Sequence, residues 1–327
     1  MTDRVVSAFA PATVSNVACG FDVLGFPLDS PGDEVDARFV GGQASDLSKV
    51  TRLPHVVIDD IVGDGGRLPR EAERNTAGVA AQALLARLEE RRGVALTIRK
   101  GLPLAGGLGG SAASAVAAVV AVDALVDAHT PIETLLACAL EGEGLGRGGA
   151  HPDNVAPCLY GGLVLVRRPS PPDIVRLPVP SGLMAVVVHP AIEIETAQAR
   201  ALLGTDVPLE AAVRQWANLG AFVDGLHRAD FALIARSLED AIAEPLRAPL
   251  VPGFAAIKRA AANAGALGCS LSGSGPSLFA LCRGQATAER VAAAMAGAVR
   301  AEIGGELQTY ISSIAQQGAR VVSTCAS

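Results

Sequence analysis

Apolar and polar positions follow two periods along this chain. From Val5 to Phe9, and again over Glu34–Val40 and Val56–Val62, they alternate roughly every second residue, the period of strands with one buried face. Glycine, proline and aspartate interrupt these runs, so Gly32 to Gly66 reads as a β-meander. Between Glu71 and Arg92 the period becomes helical: Ala77, Ala80, Ala81, Leu84, Leu85 and Leu88 share one face, and Asn75 near the start is a natural N-terminal cap. Val94–Arg99 is a strand-like run that enters a glycine-rich stretch. From Ser111 no glycine or proline occurs until Pro131, which predicts a helix to about Asp127. A second helix is predicted over Ile132–Glu143 and a strand over Leu163–Arg167.

Pro169-Ser-Pro-Pro172 is stiff, lies at a break in composition, and is the predicted linker between domains 1–168 and 169–327. Beyond it come strands at Ile174–Leu177 and Met184–Val188. A helix follows within Pro190–Gly204 that sets Thr196 and Arg200 on one face. Helices are predicted over Leu209–His227 and over Phe231–Glu239, the latter continuing to Ala243. The end of the chain alternates: helix Phe254–Ala264, strands Ser270–Leu271 and Ser277–Leu281, helix Thr287–Ile303, strand Leu307–Ile311. The expected class is a two-domain α+β fold.

Composition narrows the partner. The 327 residues carry a net charge of -6 and 3% aromatic residues, with no long Lys/Arg run, which leaves little to bind a nucleic-acid backbone or stack its bases. A small molecule is the expected ligand. Ala112–Val122 is short, Ala-rich and followed by Asp123, and Met1–Ala10 lacks the apolar centre of a leader, so no membrane span and a cytoplasmic location are expected. Six scattered cysteines without a C-x-x-C pair predict buried free thiols. The five histidines show no metal-ligand spacing, so any metal is expected to arrive with a nucleotide.

The candidate chemistry centres on Lys100–Ser114, K-G-L-P-L-A-G-G-L-G-G-S-A-A-S. Four glycines (Gly106, Gly107, Gly109, Gly110) within five positions let the backbone approach a ligand, and the loop ends at a helix N-terminus with unpaired N–H groups. That combination binds anions, phosphate above all. Gly107-Leu-Gly109-Gly-Ser-Ala112 also fits the dinucleotide pattern G-x-G-x-x-A, but its separation from the strand and the helix that follows disfavour it. The Gly-Lys-Ser/Thr of a P-loop and the last glycine of a nucleophile elbow are missing. Taken alone, the letters are equally those of a flexible turn before a core helix.

Six stretches carry a resemblance. P-L-A-G-G-L-G-G-S-A-A-S resembles the P-x-x-x-G-L-G-S-S-A-A loop of the small-molecule kinase superfamily of galactokinase, homoserine kinase, mevalonate kinase and phosphomevalonate kinase, with Gly110 where a serine is usual. Asn16 to Gly25 is similar to the N-x-G-x-G-F-D-x-L-G segment of the homoserine kinases, with Val17-Ala-Cys19 in place of Val-Gly-Pro; the Gly-Glu-His of galactokinases and mevalonate kinases is absent near this point. Gly142 to Pro157 is similar to G-E-x-x-x-x-x-x-H-x-D-N-V-A-P. Further on, Glu195-Thr-x-x-Ala-Arg200 and Glu244-Pro-Leu-Arg247 resemble E-T-x-x-A-R and H-E-P-Y-R, with Ala243 and Leu246 replacing the His and Tyr, and Ser272-Gly-Ser-Gly-Pro-Ser277 resembles S-G-x-G-P-[ST].

The resemblance implies a ribosomal-S5-like N-terminal domain, a ferredoxin-like C-terminal domain and a site in the cleft between them. It implies ATP with Mg²⁺, and phosphorylation of the side-chain hydroxyl of L-homoserine on the way to threonine. The nucleotide would lie on Pro103, Leu104, Ala105, Gly106, Gly107, Leu108, Gly109, Gly110, Ser111, Ala112, Ala113 and Ser114, with Asn75 beside it. Ser111 and Glu143 would hold the metal, and Lys100 would screen charge. Arg200 and Arg247 would grip the carboxylate, Asp22 with Asn16 the ammonium, while His151, Asn154 and Thr196 would orient the rest. The catalytic set is thus Ser111, Glu143, Asn154 and Lys100. Asp153 is the obvious carboxylate for a base, although the resemblance implies a route that needs none. A kinase of shikimate or another small alcohol and a non-catalytic nucleotide sensor are the alternatives. A homodimer is implied by the resemblance alone.

Overall fold

The computed structural model describes residues 4–40, 56–145 and 149–326. Its first sheet is built from β1 (Arg4–Ser15), β2 (Leu24–Phe39), β3 (Val56–Val62), β4 (Val94–Arg99), β5 (Leu163–Pro169), β6 (Pro172–Leu177) and β11 (Arg320–Ala326). The order is β11-β1-β2-β4-β3, with β5 joining the start of β2 and β6 joining β5. The long first strand runs on through Ala10, Ala12 and Val14 because all three are fully buried on its inward face, and the proline between them falls where the ladder with β2 shifts register. The expected meander is corrected: β3 pairs in parallel with β4, not with β2, and residues 41–55 of that stretch lie outside the described residues.

Four helices cover the inner side of this lobe: α1 (Thr76–Arg87), α2 (Gly110–Val126), α3 (Ile132–Glu143) and α4 (Pro152–Tyr160). The Ala/Val helix α2 is buried almost all round, and small side chains let α1, α3 and the sheet approach it closely. α1 begins later than predicted because Ala72–Arg74 form a 3₁₀ turn, after which the Asn75 side chain accepts the Ala77 N–H at 3.0 Å. It also ends earlier, and Glu89 is left-handed (φ 53°). α4 was not predicted. Pro152 sits at its first turn, where no N–H is needed, and Pro157 is carried inside it.

The predicted linker is also corrected. Pro169 and Pro172 are paired residues closing the β5–β6 hairpin, so the first sheet continues to Leu177, and the change of sheet falls at 178–182 instead of 168/169. The second sheet, β7 (Leu183–Pro190), β8 (Gly268–Leu271), β9 (Leu278–Arg283) and β10 (Leu307–Ser313), is antiparallel in the order β10-β7-β9-β8, the ferredoxin-like arrangement. Helices α5 (Thr196–Ala201), α6 (Leu209–Arg228), α7 (Phe231–Ser237), α8 (Glu244–Arg247), α9 (Phe254–Asn263) and α10 (Gln285–Glu302) complete this lobe. α7 stops before Ala243 because the Asp240 carboxylate accepts the N–H groups of Ile242, Ala243 and Glu244 at 2.8, 2.9 and 3.0 Å, turning the chain into α8. The last strand, β11, returns to the first sheet beside β1.

The six cysteines are free, five of them buried. Among the described residues no helix is long and apolar enough to cross a membrane.

Candidate active site

A cavity of about 380 Å³ lies where the two lobes meet, and its wall takes residues from both. At one end runs the loop from β4 to α2. Gly107 (φ 71°) passes so close to Gly275 that a Cβ there would meet its carbonyl oxygen at 2.7 Å, and a Cβ on Gly109 (φ 66°) would run into the Thr13 hydroxyl. Serines of the second lobe hold the loop down: Ser272 Oγ donates to Gly107 O at 2.7 Å and Ser277 Oγ to Gly106 O at 2.5 Å. At Gly110 an added Cβ would meet nothing nearer than 3.6 Å, so the serine usual in the resembling loop has room. Leu108, Ala112 and Ala113 turn away into the core and do not line the cavity, a correction to their expected place beside the nucleotide.

Lys100 takes a different place from the expected one. Its ammonium forms a fully buried ion pair with Asp33 and donates to Gly110 O (2.8 Å) and Ser114 Oγ (2.9 Å), which occupies all three of its hydrogens. Asp33 in turn accepts the N–H groups of Gly101 (3.0 Å) and Leu102 (3.2 Å) and the Ser114 hydroxyl (2.7 Å). A lysine whose charge is offset by a buried carboxylate fixes the shape of the loop and leaves little charge to screen a phosphate. Asp33 was missed, although an acid in the inward series Asp33, Val35, Ala37 of β2 is a readable signal.

Asn75 lines the cavity with its amide oxygen engaged by the cap and one amide hydrogen given to Pro69 O at 2.9 Å. It therefore anchors the segment before α1. The loop Asp64–Pro69 carries Arg67, which makes a bidentate pair with Glu193 of the second lobe at 2.6 and 2.8 Å, a bridge the sequence did not suggest.

At the other end, Asn16 (φ 70°), Val17 (45°), Ala18 (54°) and Asp22 (59°) are left-handed, a conformation that such residues rarely adopt. This turn is fixed from several sides. Asn16 Oδ1 accepts the Asp22 N–H (3.0 Å) and Nδ2 donates to Gly273 O (2.8 Å); from α6, Gln215 donates to Cys19 O (3.0 Å) while accepting the Ala241 N–H (2.8 Å). Gln215 carries no signal in the sequence. Asp22 forms a 2.5 Å ion pair with Arg200. Arg247 is 5% exposed and donates from Nε to Ala199 O and from Nη1 to Gly273 O, both 3.2 Å. Burial pushes its pKa below the usual arginine value, with Asp22 opposing and Arg200 reinforcing that shift. Thr196 lies beside them, its hydroxyl 3.4 Å from that of Ser274.

Between the two ends stands Glu143, the last residue of α3. Its Oε1 is 3.4 Å from His151 Nδ1, while its buried Oε2 has no hydrogen-bond partner among the described residues. The hydrogen bond with Glu143 raises the His151 pKa. Residues 146–148 between them lie outside the described residues. Asp153 is buried on the same wall, and burial, followed by the charge of Asp22, pushes its pKa up to about 6. Asn154 accepts from Thr13 Oγ1 (2.8 Å) and donates to Ser15 Oγ (3.0 Å), which ties α4 to β1 under the glycine loop. Ser111 is exposed at the start of α2 and lines the same cavity as Glu143. No group of three His, Cys, Asp or Glu among the described residues could hold a metal by itself. A carboxylate oxygen unpartnered among the described residues and a hydroxyl lining the same cavity suit Mg²⁺, which takes few protein ligands and draws the others from phosphate and water.

Fold and cavity together define a two-lobed small-molecule kinase of the GHMP class. Residues 75–162 match the family described as GHMP kinases N terminal domain, and residues 222–321 match GHMP kinases C terminal. The chain is 43% identical to the homoserine kinase of Chlorobaculum tepidum, over 98% of this chain and 99% of the relative. It is 42% identical to that of Xanthomonas campestris, over 98% and 95%. A crystal structure of homoserine kinase from Cytophaga hutchinsonii superimposes with a TM-score of 0.91 at 47% identity, covering 97% of each chain. L. major mevalonate kinase, at 17% identity and a TM-score of 0.67 (94% of this chain, 95% of that one), shares the fold. The chain belongs to the homoserine kinase family of the GHMP kinases.

Proposed function

We propose that the protein transfers the γ-phosphoryl group of ATP to the side-chain hydroxyl of L-homoserine, giving O-phospho-L-homoserine on the route to threonine. The observation that carries this reading is the polarity of the cavity: a glycine loop and a helix N-terminus at one end, and Asp22 facing Arg200 and Arg247 at the other. The first end suits a polyphosphate, the second a zwitterion. Shikimate lacks an ammonium and would leave Asp22 without a ligand partner.

In this reading the amides of Gly106–Ser111 and the end of α2 hold the β- and γ-phosphates in place. Ser111 and Glu143 hold Mg²⁺, which when bound offsets the charge of the phosphates. Arg247 and Arg200 take the carboxylate, and Asp22 with Asn16 takes the ammonium; the hydroxyl is then presented toward the phosphate end past His151, Asn154 and Thr196. Positioning and charge neutralisation are the main demands of phosphoryl transfer. The same reading carries a cytoplasmic homodimer, for which the exposed Leu209, Val213 and Trp216 on one face of α6 offer apolar surface; sedimentation velocity reads the assembly.

The test is ADP release with Mg·ATP and L-homoserine, beside shikimate, mevalonate, galactose and L-serine. Turnover with homoserine alone is expected, and Arg247→Ala should lower kcat/KM for it by about 100-fold, the loss of a charge-assisted contact of roughly 3 kcal/mol. ATP binding without ADP release for any acceptor would instead favour a nucleotide sensor.

A further inference from the structure

The carboxylate clamp raises a physical problem. Two guanidinium groups share one small pocket, and Arg247 is almost wholly removed from water while, among the described residues, two of its five N–H groups have partners, Ala199 O and Gly273 O. Before substrate arrives, something must hold both cations near each other and compensate the lost water. Asp22 does part of this through Arg200. The charges of Asp240 and Asp153 contribute as well, and Phe21 lies beside both guanidinium groups: the Arg247 Cζ lies 5.1 Å and the Arg200 Cζ 5.7 Å from the centre of its ring. Both distances fall within the ~6 Å over which an aromatic ring attracts a cation.

The ring is also well anchored. Phe21 follows the left-handed run Asn16–Ala18 and precedes left-handed Asp22, in a turn held by Asn16 and by Gln215. Its side chain is half-buried, so it cannot follow the arginines outward. We propose that Phe21 is the positioning residue of the clamp, its ring forming a shared floor that sets Arg200 and Arg247 at the separation one carboxylate can bridge. This rests on the homoserine reading and adds to it a determinant of acceptor selectivity that touches no reacting atom. An aliphatic side chain of similar size fills the same space but offers no negative face.

Steady-state kinetics of Phe21→Leu and Phe21→Trp test the proposal. Phe21→Leu is expected to raise KM for homoserine roughly tenfold, to leave kcat within about twofold, and to leave KM for ATP unchanged. Phe21→Trp, which restores a stronger ring, should bring KM for homoserine back to within about threefold of the parent. An unchanged KM in Phe21→Leu overturns the proposal, as does a Trp variant as impaired as the Leu variant, or a rise in KM for ATP as large as that for homoserine. If Phe21→Leu fails to fold, the Trp variant alone decides by the same measure. The parent enzyme separates the two claims: no turnover of homoserine by the parent overturns the substrate reading and the clamp with it, whereas normal parent turnover with an indifferent Phe21→Leu overturns the role of Phe21 alone.

Discussion

The two ends of the cavity are built on opposite principles. At the phosphate end the side chains are internally satisfied: Lys100, Asp33 and Ser114 neutralise and bond one another beneath the loop, and what faces the ligand is backbone. At the acceptor end the side chains are incompletely satisfied. Arg247 keeps donors without partners among the described residues, burial pushes the Asp153 pKa up to about 6, and Glu143, between the two ends, keeps an oxygen that is likewise unpartnered among the described residues. A row of anionic phosphate oxygens suits a rigid cradle of backbone amides, whereas a small zwitterion is recognised by charges that become fully paired only when it binds.

Asp33→Ala attacks the rigid end most directly. It leaves the Lys100 ammonium buried and unpaired and should reduce stability by about 3 to 5 kcal/mol, read by urea unfolding. A loss below about 1 kcal/mol would mean that the loop is not organised around this pair. Removing both charges together, as Lys100→Met with Asp33→Asn, should be far milder. Glu143→Gln probes the unsatisfied carboxylate between the ends: we expect kcat to fall by about 100-fold, near 3 kcal/mol, with the unfolding midpoint unchanged or raised. An equal loss of stability would make Glu143 a structural residue.

The sign of the pH effect at Asp153 sharpens the contrast. Its pKa in the fold, about 6, lies above the ordinary 3.8, so folding favours the protonated form. The stabilising contribution is complete below about pH 4 and is lost as pH rises through about 6. Asp153→Asn should therefore flatten stability over that window and be more stable than the parent at pH 7, by on the order of 2 kcal/mol. Stability curves that stay parallel from pH 4 to pH 7 would refute it. The smallest effect is expected at the cradle. Gly110→Ser has room for its side chain, gains helix propensity and adds a hydroxyl donor, so KM for ATP should fall by about two- to fivefold with no loss of stability.

What the sequence revealed and what it hid follow a physical division. Local signals were strong: the glycines before α2, the helical face of α1 and the boundaries of α3 depend on neighbours in the chain. Pairings between distant segments were not legible. Pro169–Pro172 has the composition of a linker and is a hairpin turn, a distinction made only by the pairing of its flanks. Strand β11 carries no strong alternation and exists because β1 offers it an edge. At the site, the residues with unusual chemistry for their position, Asp22, Glu143 and the two arginines, were found, and the cavity brings them together. Those that act through others are hidden in the sequence: Asp33 and Lys100 neutralise one another beneath the loop, and Gln215 reaches Cys19 across 196 residues of chain.

The return of β11 to the first sheet has a consequence for biosynthesis. During translation, β1 is made before the second lobe and its partner Arg320–Ala326 after it, so one side of β1 stays uncovered while the whole second lobe is made. The nascent first lobe thus presents an open strand edge, the kind of surface that recruits other chains and that holdase chaperones shield. Closure of that edge by residues so remote in sequence also places a long-range contact at the end of folding, and ties completion of the nucleotide-binding lobe to that of the lobe inserted within it.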